Sequence, residues 1–136
     1  MTSDRCSTPL AKKLSLKDGM RVWFLDMPES VRSEIEGSDL TLSEDEVPAP
    51  GLHAAHIFVT DRDTMEQHLA TLREMIDPAG QVWVSWPKKA SGVETDITED
   101  TIREVALPMG FVDIKVCAID AVWSGLKLVI RRELRK

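Results

Sequence analysis

The strongest constraint on the fold is a pair of short apolar runs separated by one amphipathic helix pattern. The first run, residues 54–60, is apolar and unbroken, as expected for a strand that helices cover on both faces. The second run, residues 81–86, has the same character. Between them, four apolar side chains recur at helical spacing: Met65, Leu69, Leu72 and Ile76. Two strands joined by a helix form a right-handed parallel crossover, so the sequence predicts an α/β fold.

Weaker signals on both sides of this crossover complete the predicted order of elements. They indicate four further strands and two helices: strands at residues 21–25, 40–42, 112–119 and 126–132, a brief helix at residues 29–35 and a helix capped by Thr98. The short connection between the last two strands predicts an antiparallel hairpin. We therefore expect a Rossmann-like three-layer sandwich with a mostly parallel sheet and a C-terminal antiparallel hairpin.

Length and hydropathy bound the domain organisation. A chain of 136 residues suits one hydrophobic core. Residues 1–11 are polar and contain Pro9, which predicts a flexible tail before a single domain at residues 12–136. No apolar run approaches the roughly 20 residues that cross a bilayer, and the N-terminus lacks the apolar core of a signal peptide. The sequence predicts a cytoplasmic protein that does not enter membranes.

The distribution of charge restricts the partners. The net charge of -6 would repel a phosphate backbone, so we expect no nucleic-acid binding. Acidic residues concentrate between residues 29 and 46, whereas lysine and arginine crowd residues 127–136. Solvated surfaces explain both clusters, and contact between oppositely charged ends in a homo-oligomer is the alternative.

Neither the cysteines nor the histidines form a motif with recognisable chemistry. Cys6 and Cys117 do not make a disulfide framework, and Cys117 lies in an apolar alternating segment that suits a small buried hydrophobe. His53 and His56 form a His-x-x-His, but residues three apart in a strand point to opposite faces. The sequence thus predicts no metal site and no cofactor, and it identifies no catalytic residue.

Two groups of residues carry a resemblance to known families. Residues 16–22 (LKDGMRV), residues 76–82 (IDPAGQV) and the order of elements are similar to class I S-adenosylmethionine-dependent methyltransferases. Residues 84–92 (VSWPKKASG), 95–96 and 123–130 (WSGLKLVI) resemble a family of small bacterial proteins classified as a domain of unknown function. The first resemblance implies a methyltransferase-like sheet. The second implies a size and a fold, but no substrate, cofactor or reaction.

The turn after the first predicted strand departs from the methyltransferase pattern. In such folds a glycine-rich turn lets the backbone approach the ligand, and the helix that follows presents its amides. Residues 26–29 (DMPE) contain no glycine, Pro28 has no N–H group, and Glu29 adds negative charge. We therefore expect this turn to repel an anionic ligand and any binding site to lie elsewhere on the same edge of the sheet.

Polar residues in two later loops form the candidate ligand site. Ligands of open parallel sheets collect at the carboxyl ends of the strands, where several loops converge. The loop after residues 81–86 and the terminal hairpin supply six candidate side chains: Lys88, Lys89, Ser91, Asp96, Trp123 and Ser124. Ammonium and hydroxyl groups bind anions and an indole stacks on flat groups, so the predicted ligand is an acidic small molecule. The alternative is that the tryptophan belongs to the core and the lysines are solvated.

Three functions therefore remain open. The first is a non-catalytic methyltransferase-like module that binds an acidic small molecule or a protein partner at these loops. The second is a divergent small methyltransferase that uses S-adenosylmethionine, and the third is a structural or assembly domain that pairs through a sheet edge. No nucleophile or base is visible, so the sequence leaves open whether the chain is an enzyme.

Overall fold

A computed structural model describes residues 9–38 and 40–135, in which six strands form one sheet in the order β2-β1-β3-β4-β6-β5. The strands are β1 (Arg21–Leu25), β2 (Ser43–Glu44), β3 (Leu52–Phe58), β4 (Ile76–Pro87), β5 (Phe111–Ala118) and β6 (Trp123–Ile130). The helices are α1 (Leu10–Lys13), α2 (Glu29–Glu36), α3 (Arg62–Met75) and α4 (Glu99–Met109), and 3₁₀ turns span Lys89–Ser91 and Arg132–Leu134. Strand β6 runs antiparallel to β4 and β5, and the other pairs are parallel. The predicted fold is confirmed.

Helices cover both faces of the central strands, which explains why β3 and β4 are almost wholly apolar. Helices α3 and α4 pack their apolar stripes on one face, around side chains such as Leu69 and Ile102, which have no exposed surface. Helices α1 and α2 cover the other face, where Trp83 lies at the centre of a second cluster. Each helix of the described ranges is too short or too polar to cross a bilayer.

Helix α1 is an element that the sequence pattern did not predict. Its Leu10 and Ala11 are buried, so the packed part of the chain begins two residues before the predicted boundary at residue 12. Residues 1–8 of the predicted tail lie outside the described residues. A four-residue helix is unstable alone, so tertiary contacts must hold it.

The contacts that hold α1 come from β4. The carbonyl of Leu14, just after the helix, accepts the side-chain N–H groups of Gln81 at 2.6 Å and Trp83 at 3.1 Å. Leu14 is itself buried, so its carbonyl needs partners inside the protein. These two hydrogen bonds fix the start of the domain to the middle of the sheet.

Two predicted boundaries are wrong for identifiable reasons. The second strand lies at Ser43–Glu44 instead of residues 40–42, because Leu40 and Leu42 pack against the α1 and α2 face while Ser43 pairs with Arg21. Strand β4 begins at Ile76 instead of residue 81, because Ile76 already pairs with Leu52 of β3. Gly80 serves a close approach within the extended chain, since a Cβ there would lie 2.8 Å from the carbonyl oxygen of His53.

Candidate functional site

The order of the strands locates a crevice between β1 and β3. From β1 the chain passes through α2 to β2 on one side, whereas from β3 it passes through α3 to β4 on the other side. The two loops that leave these neighbouring strands therefore diverge at their carboxyl ends. In open α/β sheets, ligands bind at such a switch point because the diverging loops leave room there.

A cleft of about 350 Å³ lies at this switch point. It is lined by the end of β1 at Asp26, by residues 58–61 after β3, by Thr64 of α3 and by Trp123 of β6. Among the described residues of this lining, two are carboxylates, Asp26 and Asp61, and none is basic. We refer to this space as the switch-point cleft. Its electrostatic character favours a cationic or neutral ligand over an anion.

Asp26 holds an unusual backbone conformation at the mouth of the switch-point cleft. Its φ is +54°, in the left-handed region that glycine adopts freely and that aspartate tolerates better than most residues. Its side chain is exposed and makes no hydrogen bond or salt bridge to the residues that the structure describes. Backbone strain of this kind collects at functional sites. The aspartate thus supplies both the tight turn and a free carboxylate.

Asp61 brings a second carboxylate, which the start of α3 holds in place. Its side chain caps the helix, accepting the backbone N–H of Thr64 at 2.9 Å and the Thr64 hydroxyl at 2.8 Å. These hydrogen bonds, the backbone one first, lower the pKa of the Asp61 carboxyl. The group is therefore ionised at neutral pH, and the cleft keeps its negative charge.

Aromatic rings form the inner wall of the cleft. Phe58 and Trp123 meet edge to face with ring centres 5.2 Å apart. Behind Phe58, the imidazole of His56 stacks at 4.3 Å and shares a hydrogen bond of 2.7 Å with the Ser85 hydroxyl. Burial lowers the pKa of His56 to about 3, so the ring is neutral at physiological pH. A buried histidine thus supports the aromatic wall without adding charge to it.

Trp123 is the one predicted site residue that lines this cleft. Lys88 is half-buried, and its ammonium donates to the carbonyl of Asp120 at 2.7 Å, which joins the β4 loop to the hairpin. The Ser91 hydroxyl donates to the carbonyl of Lys88 at 2.6 Å inside the same loop. Ser124 pairs with Trp86 in the sheet. Lys88 and Ser91 thus each donate a hydrogen bond to a nearby backbone carbonyl.

Asp96 connects the predicted loop to the neighbouring strand. Its carboxylate accepts the backbone N–H of Arg62 at 2.8 Å, and the adjacent Thr95 hydroxyl donates to the carbonyl of Thr60 at 2.6 Å. Asp96 and Thr60 share a shallow hollow beside the switch-point cleft. The loop at residues 92–98 is thereby tied to the end of β3, next to Asp61.

Lys89 lies in a separate cavity of about 430 Å³ beneath the start of α4. The charged side chains that line this cavity are Lys89, Glu99, Asp100 and Arg103, so positive and negative charges balance. Arg103 contacts three carboxylates, including Asp113 at 2.9 Å. Lys89 is exposed and has no such partner among the described residues. The six predicted residues thus share one edge of the sheet but not one cavity.

Other polar side chains outside the cleft are explained by their surroundings. Glu44, at the distance along the chain where dinucleotide folds hold a ribose, accepts two N–H groups of Arg32 at 2.6 and 2.9 Å. The Cys117 thiol is half-buried, and burial raises its pKa. His53 accepts the backbone N–H of Arg21, away from buried His56. In the described ranges, no three His, Cys, Asp or Glu side chains cluster as metal ligands would.

The sequence did not predict that Asp26, Thr60 and Asp61 line one cleft, because that prediction needs the order of the strands. The turn at residues 26–29 was predicted to repel an anionic ligand, and its Asp26 does line the cleft with a carboxylate. The same charge favours a cation, however. The signal that could have found the cleft is an aspartate, in place of a glycine, directly after the first strand.

Comparison with solved structures identifies methyltransferases as proteins of the same fold. An S-adenosylmethionine-dependent methyltransferase from Aquifex aeolicus matches with a TM-score of 0.59 at 14% identity, over 90% of this chain and 88% of that one. The glycopeptide N-methyltransferase MtfA, solved with sinefungin, matches with a TM-score of 0.55 at 13% identity, over 89% of this chain and 90% of that one. Identities this low show the fold alone.

Larger proteins share the fold as well. LepI, solved in complex with S-adenosylmethionine, matches with a TM-score of 0.54 at 11% identity over 96% of this chain, which spans only 49% of the LepI chain. No family model and no curated protein matches this sequence. The resemblance to a small bacterial family therefore stays a prediction, whereas the methyltransferase-like fold is shown.

Proposed function

We propose that this chain is a divergent methyltransferase-type domain that binds S-adenosylmethionine, or a ligand of the same chemistry, in the switch-point cleft. The main support for the proposal is that this cleft lies where the strand order reverses, between β1 and β3. The left-handed Asp26 lies at the same point. Several structural neighbours were solved with S-adenosyl compounds, which supports the choice of ligand without transferring it.

The lining of the cleft fits this ligand in charge and in size. S-adenosylmethionine has two cationic groups, a sulfonium and an ammonium, and one carboxylate, so its net charge is positive. Among the residues described, the cleft lining offers two carboxylates to the cationic groups and no basic residue to the ligand carboxylate. Its volume of about 350 Å³ falls within the range of small-molecule sites. Phe58 and Trp123 supply an apolar aromatic wall for a flat ring. The β1 turn fits less well, since Pro28 offers no N–H group where related folds present amides.

The chemistry that these residues perform is binding and orientation. S-adenosylmethionine supplies an electrophilic methyl group when bound. Asp26 and Asp61 accept hydrogen bonds and balance positive charge, while the Phe58 and Trp123 rings exclude water from one side. Positioning of two reactants can itself accelerate a transfer greatly. Because the lining residues that the structure describes include no histidine or lysine, the preferred acceptor is a nucleophile that needs no deprotonation.

Calorimetry on the full chain tests the proposal. We expect saturable binding of S-adenosylmethionine, and Asp26→Asn should weaken it by about fivefold, since one exposed charge pair contributes about 1 kcal/mol. Asparagine tolerates the left-handed backbone, so the turn should persist. S-adenosylhomocysteine keeps the ammonium group but lacks the sulfonium charge, so an equal loss of its affinity would place the ammonium at Asp26 and a smaller loss would place the sulfonium there. Glu74→Gln, an exposed carboxylate near the end of α3, is the matched control and should change neither affinity.

The same titrations separate the competing function. If the chain is instead a module for an acidic small molecule at the predicted loops, Lys89→Ala should reduce binding of anionic metabolites and Asp26→Asn should not. Failure of S-adenosylmethionine to bind at millimolar concentration would remove the methyltransferase proposal. Binding without methyl transfer to any acceptor would support the non-catalytic form of the same site.

A further inference from the structure

Two lysines face each other on the α1 side of the sheet, at its β5 edge. Lys115 of β5 and Lys127 of β6 are direct partners in the antiparallel register. Directly opposed side chains of such a pair have Cβ atoms about 5 Å apart, and like charges in that position destabilise a sheet. Lys13, the last residue of α1, and Lys17, four residues later, lie in the adjoining segment of the chain. The structure thus gathers several lysines at this edge of the sheet, although the protein as a whole is acidic.

Protein contacts hold both ammonium groups in place. The Lys127 ammonium donates to the Ser15 hydroxyl at 3.0 Å, and the Lys115 ammonium donates to the carbonyl of Lys13 at 3.1 Å. An ammonium group has three N–H donors, so each lysine keeps two after its recorded bond. The Ser15 hydroxyl accepts from Lys127 and keeps its own proton to donate. Both ammonium groups are therefore held against the segment at residues 13–15, each with further N–H donors.

Carboxylates do not neutralise this lysine pair in the part of the chain that the structure describes. Every salt bridge found there uses an arginine, although the chain has six more acidic than basic residues. Burial, followed by the charges of Lys115 and Lys17, lowers the pKa of Lys127. The positive charges of these lysines are thus close enough to repel one another.

The backbone conformation of Ser15 is independent evidence that a hydroxyl group has a role at this position. It follows α1 with a φ of +60°, while its N–H bonds to Lys12 and the next N–H bonds to the Ala11 carbonyl. This is the pattern of a helix end at which glycine is the unstrained residue. Serine carries a conformational cost there, and its hydroxyl contacts Lys127.

Helix capping explains only part of the arrangement. A cation near the end of a helix is favourable, which accounts for Lys115 at the carbonyl of Lys13. It does not account for a second lysine directly opposite the first. We propose that Lys115, Lys127 and the Ser15 hydroxyl form a binding site for a phosphate-type dianion, either free or as the phosphate group of a larger molecule. The site is independent of the switch-point cleft.

Exchange of Lys115 for glutamate tests this site against a purely structural role. Lys115→Glu removes one ammonium group from the site and should lower the affinity for pyrophosphate at least tenfold. Its effect on stability has no fixed sign, because the exchange removes the like-charged pair but places a carboxylate at the carbonyl end of α1. Arg132→Gln, an exposed cation beyond the end of β6, is the control and should leave the pyrophosphate affinity unchanged. An unchanged affinity in Lys115→Glu would overturn the proposal.

Further variants and probes fix the chemistry of the ligand. Ser15→Gly keeps the left-handed turn and removes the hydroxyl, so pyrophosphate affinity should fall severalfold while the fold becomes no less stable. Inorganic phosphate, pyrophosphate and a phosphoserine peptide should all compete, and the tightest of them shows whether the anion is free or attached. Chloride at equal ionic strength should not compete. Tighter binding of an oligoglutamate peptide than of any phosphate would overturn the assignment and indicate an acidic protein partner.

Discussion

Replacement of Trp83 by alanine is expected to lower the free energy of unfolding by about 3–5 kcal/mol, the usual cost of removing a buried tryptophan. Trp83 is 1% exposed and lies at the centre of the core cluster beneath α1. Its indole N–H also donates to the carbonyl of Leu14. The variant therefore creates a cavity and weakens the attachment of α1. Urea denaturation followed by circular dichroism measures the effect.

A conservative variant separates these two contributions. Trp83→Phe keeps most of the buried surface but removes the N–H group, and the carbonyl of Leu14 retains its bond from Gln81. We expect this variant to lose only about 1–2 kcal/mol, since that carbonyl is not left without a donor. Equal losses for the two variants would show that the hydrogen bond, rather than the packing of the ring, dominates.

The second large effect is a loss of stability in acid that originates at His56. This side chain is 2% exposed, and its Nδ1 atom has no hydrogen-bond partner among the described residues. Burial lowers the pKa of His56 in the folded protein from its ordinary 6.5 to about 3. Below pH 6.5 the unfolded chain therefore binds a proton at His56, whereas the folded chain does not bind it until the pH approaches 3. The stability is complete above pH 6.5 and is lost progressively as the pH falls towards 3.

The size of this loss follows from linkage. Each pH unit within that window costs about 1.4 kcal/mol, so the contribution of His56 at pH 4.5 is about 3 kcal/mol. His56→Gln removes the titrating group, and its stability should fall less steeply between pH 7 and pH 4.5. Parallel curves for the wild-type protein and the variant would contradict the assignment. An NMR titration provides a check that needs no variant, because the His56 ring should remain neutral at pH 4.5.

The elements that sequence patterns predicted well are those whose signals are local. Strand β1 lies at the predicted residues, and the Thr98 cap of α4 is confirmed by its bond to the N–H of Thr101. The reversed strand β6 is confirmed too, although it begins at Trp123 instead of residue 126 because it pairs there with Pro87. Helix α1 was not predicted, because four residues are too few to show a helical period. Its stability comes from hydrogen bonds to β4, which is distant in the sequence.

The candidate site was harder to predict because it depends on the order of the strands. The chain gives no direct sign that β1 lies between β2 and β3, and this order alone makes the ends of β1 and β3 adjacent. Trp123 was predicted as a ligand-binding residue and lines the cleft. The hydrogen bond of Lys88 to the carbonyl of Asp120 could not be foreseen from two adjacent lysines in a loop. A ligand role for Lys88, Lys89, Ser91, Asp96 and Ser124 stays a prediction.

The most direct test of the switch-point cleft is an NMR titration of the full chain with S-adenosylmethionine. We predict saturable shifts of the backbone amides of Asp26 and Asp61 and of the indole N–H of Trp123, because these groups line or border the cleft. Shifts confined to Lys89 and the start of α4, or no shifts at millimolar ligand, would contradict binding of S-adenosylmethionine in the switch-point cleft.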